Sequence, residues 1–410
     1  MLTSTVLPVL RPLRYRGFAF LWCSQTLATV GAAGAGIATA WQLLTMRGSA
    51  VDLGILIALH TVANLALVPL GGLVADRFPR QRILLAGGIL AALFSFGVAV
   101  LIRLNLLQVW HLYPLAVFLG GLASFRAPAA RAIYPSLVPK DDLLRANALT
   151  AVSVHLVGMG GALLGGILID LWGTSGAFAF QGVLASLSAL ALLGVRPAFA
   201  TAPPGETPRA SWFRSLAEGV TEVRRIRWVW GTIALSAVGN AFAGASLNVA
   251  IPVRIREDLL MDATVLGAMN SAGAAGSLAV ALALGQAKSV PHRGIVAFTG
   301  IIFGGIALIG TAFASNASSL LATAVVGWAG LALFSIVWNS TLQRTIPGSL
   351  LGRVVSVDHF GSLILVPVGV PLLGLAVTGM GAAGVLLISG VTVIVLAAIA
   401  MALPALRRWE

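Results

Sequence analysis

Eight polar side chains stand inside long apolar stretches of this chain: Gln25, Asn64, His155, Gln181, Asn240, Asn248, Asn270 and Asn339. Polar groups within a membrane are costly and face a bundle interior or a water-filled cavity. The eight are therefore candidate lining for a substrate cavity, although any one Asn also serves as a bond between helices. His60 and His155 bring imidazole, the side chain whose charge changes nearest neutral pH. No second His, Cys or acid stands at ligand spacing from them, which argues against a metal site. The single Cys23 excludes internal disulfides and Cys-based metal clusters. Trp41, Trp328 and Trp338 offer flat apolar surface to a ligand, or anchor spans at the membrane interface. There is no G-x-x-x-x-G-K-[ST] loop, no zinc-protease motif and no carboxylate pair within a span, so nothing points to an enzyme or a bound cofactor.

The elements that must position these groups follow from composition. Of 410 residues, 58% are apolar and 10% charged, against about 25% charged in an ordinary soluble domain. The expected fold is an all-α polytopic membrane protein. Apolar runs long enough to cross the hydrocarbon core cover 17–46, 53–75, 83–102, 109–125, 146–169 and 171–195, then 228–253, 263–287, 294–314, 317–343, 354–378 and 384–404. Outer-membrane strands would be about ten residues long with alternating polarity, so these twelve spans are helices. The first run exceeds the 7–15 residues of a signal sequence and no small-residue cleavage pattern closes it. It is expected to stay as helix 1.

Alternating the connections puts 22 of the 26 Lys and Arg on the side that holds both termini, leaving Arg47, Arg103, Arg254 and Arg256 opposite. Both termini are thus expected in the cytoplasm, with the chain in the cell (inner) membrane. The net charge of +13 records this orientation. A nucleic-acid partner would need it gathered on one patch. The expected organisation is a bundle over 1–195, a cytoplasmic linker over 196–227 and a second bundle over 228–410. Within the linker, Trp212, Leu216, Val220 and Val223 recur at helical spacing opposite Arg214, Glu218, Glu222 and Arg225. That pattern fits an interfacial amphipathic helix, and equally a solvated connector.

The two halves carry a repeat. Pro139 and Pro347 are 208 residues apart, as are Arg145 and Arg353, each pair between the fourth and fifth span of its half. Parallel six-helix repeats are a layout of secondary transporters, with substrate bound near the midplane.

Between the second and third spans, Gly72-Leu73-Val74-Ala75-Asp76-Arg77-Phe78-Pro79-Arg80-Gln81-Arg82 resembles the G-x-x-x-D-[RK]-x-G-[RK]-[RK] signature of the major facilitator superfamily. Pro79 stands where glycine is usual and Gln81 where a basic residue is usual. In the fifth span, Gly161-Ala162-Leu163-Leu164-Gly165-Gly166 resembles the G-P-x-x-G-G motif of antiporters in that superfamily, with Ala162 for proline. The stretch from Arg126 through Pro128, Arg131, Pro135 and Pro139 to Arg145 and Asn147 is similar to the branch that includes enterobactin and macrolide exporters.

The resemblance implies a twelve-helix fold of two pseudo-symmetric six-helix bundles and a secondary active exporter working by alternating access as a monomer among membrane lipids. It also implies a cytoplasmic gate in which Gly72, Asp76, Arg77, Arg80, Arg126 and Asp358 take part, Asp76 latching against the start of helix 11. Arg77, Arg80 and Arg82 have a second reading as plain topology determinants. Gly161, Gly165 and Gly166 give the fifth span a smooth face, for packing or for sliding. Many relatives carry an acid in helix 1 soon after a glycine. Here Gly31 precedes Ala32, Ala33 and Gly34, and no span core holds Asp or Glu. Proton coupling is left to Asp358 and Asp170 near span ends and to the histidines. A cavity poor in charge suits a hydrophobic or amphipathic cargo, such as a drug, siderophore or lysolipid, better than a sugar. An uncoupled facilitator or lipid translocator, and a receptor that kept the fold without transport, remain as alternatives.

Overall fold

Backbone in hydrocarbon has no water to bond with, so an apolar run must close its own hydrogen bonds as a helix. The computed structural model describes residues 8–196, 212–286 and 290–409, and among them every regular element is helical. The α-helices longer than three residues are, in chain order, α1 (Arg16–Thr45), α2 (Ala50–Arg77), α3 (Arg80–Arg103), α4 (Val109–Ala132), α5 (Leu143–Leu193), α6 (Trp212–Arg225), α7 (Arg227–Ala245), α8 (Ala263–Gln286), α9 (Arg293–Phe313), α10 (Ala317–Thr345), α11 (Gly348–Leu363), α12 (Val366–Ala402) and α13 (Pro404–Arg408).

Ten runs among the described residues are long and apolar enough to cross a membrane. Two of them, Leu156–Leu193 with 38 residues and Leu350–Ala402 with 53, are long enough to cross twice. Each is folded at a glycine: Gly173 (φ 70°, ψ 177°) in α5 and Gly381 (φ 76°, ψ 165°) in α12. That backbone region is essentially closed to residues with a Cβ. Counted as double, these runs account for the twelve expected crossings.

Two spans depart from the plain helices expected. The seventh continues from α7 through π turns at Ser246–Ala250 and Arg254–Asp258, on either side of Pro252, whose missing N–H breaks the regular ladder. The eleventh is discontinuous. It begins at Gly348, stops at Leu363 and restarts at Val366, where Pro367 cannot donate back to Leu363 and crowds its carbonyl.

Contacts group the chain into two units, Met1–Gln42 with Val62–Thr207, and Leu43–Thr61 with Pro208–Glu410. In the first unit, Phe18, Leu21, Leu137, Leu192 and Val195 form a buried cluster. Helices α1 and α5 approach closely there. A Cβ on Gly165 would lie 2.3 Å from Gly34 Cα, and one on Gly161 2.7 Å from the Val30 carbonyl oxygen. Polar bonds fix the register, with Trp22 Nε1 donating to Ser153 Oγ at 2.8 Å and the Ser24 and Ser188 hydroxyls 2.8 Å apart.

In the second unit, Gly54 and Gly374 bring the start of α2 against α12. A Cβ on Gly54 would lie 2.7 Å from Pro371 Cα, and one on Gly374 2.6 Å from the Ala50 oxygen. The core of this unit is aromatic: Trp228 stacks on Trp409 at 5.4 Å and meets Trp338 edge-on at 5.6 Å. Helix α6 forms where the linker pattern places it. Its Val223, 4% exposed, joins this core rather than lying against lipid, and Gly219 abuts the Arg353 carbonyl. The side chains of 212–218 lie outside the described residues, as does the rest of the linker from 197 to 211.

Candidate functional site

The second unit holds an open cavity of about 560 Å³, within the ~300–1,000 Å³ range of small-molecule sites. Its walls come from α7 (Leu235, Ser236, Asn240), α8 (Met269), α9 (Phe298), α10 (Trp328, Phe334, Trp338, Asn339) and α11 (Asp358, His359, Ser362). The helix breaks stand at its edge. Leu363 ends α11 beside the cavity, while Leu247 in the first π turn and Ile251 just after it line it. Discontinuous and π-bulged helices recur at binding sites, because they free backbone groups to face a ligand.

One side of the cavity is polar and ordered. Asp358 accepts a hydrogen bond from Trp338 Nε1 at 3.0 Å and another from Ser362 Oγ at 2.9 Å, and Asn240 Nδ2 donates to the Ser362 carbonyl at 3.0 Å. The aromatic part of the wall adjoins it through Trp338: Phe334 stacks on Trp338 with 6.2 Å between centroids and 7° between planes, and Phe298 leans on Phe334 at 5.9 Å. Trp328 is wedged over Gly273, where an added Cβ would come within 2.3 Å of the indole. Trp328 and Trp338 are thus cavity walls; Trp338 is only 5% exposed.

Of the eight expected lining residues, Asn240 and Asn339 reach this cavity. Asn248 and Asn270 bond the carbonyls of Gly244 and Leu266 one turn back in their own helices, at 3.0 and 2.9 Å. Asn339 also bonds back, to the Ser335 carbonyl at 2.8 Å. In the first unit, Asn64 ties α2 to the Gly120 carbonyl of α4 at 3.3 Å. The Gln25 amide oxygen accepts from Tyr134 Oη at 3.0 Å, its Nε2 is buried without a partner, and Gln181 packs its stem beside Gly31. The His155 side chain lies outside the described residues.

Among the expected gating residues, the side chains of Gly72, Asp76 and Arg77 also lie outside the described residues, and Arg80 opens α3. Arg126 in α4 lays its stem over Gly87, where an added Cβ would lie 2.9 Å from its Cδ. Asp358, expected near a span end and as a gate partner, lines the cavity wall. Gly161, Gly165 and Gly166 are all buried.

A second ordered cluster was not anticipated. Asp142, 2% exposed at the start of α5, receives Arg145 Nη1 at 2.7 Å, Arg14 Nη2 at 3.5 Å, Arg11 Nε at 3.6 Å and the Tyr15 hydroxyl at 2.9 Å. It thereby ties the segment Pro8–Arg14 to α5. The Arg145 hydrogen bond, helped by Tyr15 and by the charge of Arg11, holds its carboxyl below the ordinary aspartate value. The signal for this was in the sequence, in the acidic pair Asp141-Asp142 before an apolar run.

The chain matches the model of the Major Facilitator Superfamily over residues 21–357. It is 24% identical to the enterobactin exporter EntS of Citrobacter koseri over 89% of this chain and 88% of that one. It is also 24% identical to EntS of Shigella dysenteriae serotype 1, over 92% and 91%. Its fold is similar to that of a bacterial homolog of the human lysosomal transporter Spinster, with a TM-score of 0.75 at 16% identity over 95% of this chain and 96% of that one. The nucleoside transporter NupG gives a TM-score of 0.70 at 12% identity over 94% and 98%. With its twelve crossings, the Gly72–Arg82 signature and a family match over most of its length, the chain belongs to the major facilitator superfamily of membrane transporters.

Proposed function

We propose that this transporter is a secondary active exporter that moves a hydrophobic or amphipathic small molecule by alternating access. The observation that carries the reading is the cavity: aromatic and aliphatic over most of its wall, with Asn240, Asn339, Asp358, His359 and a few Ser and Thr hydroxyls as its polar groups. The relatives named as enterobactin exporters support the outward direction. The chain acts as a membrane transporter and not as an enzyme, and it works as a monomer in the cell membrane. In a washed-cell assay, cells producing the chain should expel a neutral amphipathic dye such as Nile red faster than cells producing an Asn240→Leu, Asn339→Leu double variant. Equal efflux rates across a panel of such dyes would refute the reading.

The gate of this reading is at the cytoplasmic ends of α2, α3 and α4, where Gly72, Asp76, Arg77, Arg80 and Arg126 stand. Orientation follows the Lys and Arg bias, so an alkaline phosphatase fused after Glu410 should be inactive and a fluorescent protein there bright. The opposite pattern would invert the topology. The alternative of an uncoupled facilitator or lipid translocator is favoured by one feature: in α1, Gly31 to Gly34 is packed against Gln181 and Gly165 and carries no acid. Dye movement in proteoliposomes that needs no imposed pH gradient would select that alternative.

A further inference from the structure

We infer that the cavity in the second unit is a site for lipophilic organic cations, with Asp358 as the counter-charge and the aromatic wall as the face for the cation's rings. The inference rests on reading this cavity as a cargo site and adds the charge of the cargo. Asp358 is the one carboxylate among the lining residues, and no Lys or Arg lines the cavity with it. Its two hydrogen bonds come from neutral donors, Trp338 Nε1 and Ser362 Oγ. They orient the carboxylate without cancelling its charge. Among the described residues no salt bridge reaches it; the ion pairs that are described lie elsewhere, at Asp142, Glu222 and Asp258. The other ionisable lining group, His359, is the next residue on α11 and makes no ion pair with Asp358.

An ionised group in a membrane pathway without a protein partner is costly, and the missing partner here has room to be a ligand. The aromatic groups agree. Phe298, Phe334, Trp328 and Trp338 all line the same cavity, with Phe334 parallel to Trp338. Aromatic faces attract a cation through their quadrupole and attract it more strongly when water is excluded. A neutral cargo would draw on the rings alone, and an anion would meet Asp358 as a like charge. The volume of about 560 Å³ admits a cation bearing several aromatic rings.

The test measures binding to the full chain in lipid nanodiscs, without any gradient, using tetraphenylphosphonium as the cation, triphenylphosphine oxide as its neutral counterpart and tetraphenylborate as the anion. The cation should bind best. Asp358→Asn should weaken it about tenfold or more and weaken triphenylphosphine oxide far less, since both compounds share the loss of one wall hydrogen bond and only the cation loses the counter-charge, and Asp358→Glu should restore most of the loss. Phe334→Leu should weaken the cation more than the neutral compound. Equal loss of both compounds in Asp358→Asn, unchanged cation binding in that variant, or a preference for tetraphenylborate would each overturn the inference. If Asp358→Asn does not fold, the charge selectivity of the unaltered chain together with Asp358→Glu decides it. Asp358-dependent cation binding without any efflux would sink the exporter reading alone. Efflux of neutral dyes with no cation binding would sink this inference alone.

Discussion

Replacing Gly165 with valine should drive α1 and α5 apart and lower the melting temperature of the purified protein by several degrees, while Gly160→Val on the same helix should leave it close to the original. A Cβ at Gly165 would lie 2.3 Å from Gly34 Cα and 3.1 Å from the Gly34 carbonyl, whereas nothing stands within 4 Å of one at Gly160. Backbone cannot rotate out of the way as a side chain can, so the helices themselves must shift. Overpacking of this kind costs about 1–3 kcal/mol and occasionally more. The paired measurement is thermal unfolding in one detergent together with dye efflux. A Gly165→Val protein that melts like its parent would show that the two helices do not approach this closely. A stable variant that has lost efflux would instead favour a sliding role for the face over a packing role.

Asp142→Asn should release the segment before α1. The carboxylate gathers Arg11, Arg14, Arg145 and Tyr15, and the amide keeps the shape but cannot offset three guanidinium charges. Charge-assisted bonds are roughly twice as strong as neutral ones. The carboxylate also sits at the N-terminal end of α5, where the helix dipole favours an anion. Trypsin should therefore cut after Arg14 much faster in the variant, the Arg11–Pro12 bond being closed to it in both proteins. The pH dependence has a fixed sign. Because folding lowers this carboxyl's pKa, its stabilisation is complete above the unfolded aspartate value of about 3.9. It is lost as the pH falls through the lower folded value. The original protein should lose melting temperature in that acid range more steeply than Asp142→Asn. Identical acid slopes, or unchanged trypsin cleavage, would show that the cluster is ornamental.

The spans were legible because hydropathy over about 20 residues is the constraint that the bilayer imposes. The tenth even begins at the expected residue, Ala317, where Asn316 accepts the Ser319 N–H as a cap. The site was less legible, and the reason is one boundary. The eleventh span was expected from 354, which puts Asp358 near a membrane edge, but α11 starts at Gly348. Asp358 is thus nearly three turns into its helix, deep enough to reach the cavity. Pro367 announced the break that follows, and Pro252 the π turns. Composition alone does not say which Asn turns back on its own helix, as Asn248 and Asn270 do, which faces a cavity, as Asn240 does, and which does both, as Asn339 does. Trp409 lies beyond the last apolar run, so nothing in the pattern marked it as core. Only the tertiary fold returns it to Trp228.

Gly173 and Gly381 are separated by 208 residues, the interval that also separates Pro139 from Pro347 and Arg145 from Arg353. Each half turns from its fifth to its sixth crossing with one residue, in the same rare backbone conformation. Nothing stands within 4 Å of a Cβ at either position, so a survey of free space would rank both as tolerant to any substitution. The backbone forbids it all the same, since every other residue meets its own main chain there. At a packed position a substitution can be answered by a shift of its neighbour, one contact exchanged for another. No such exchange is open at Gly173 or Gly381, so two of the least crowded glycines are the ones with the least freedom to change.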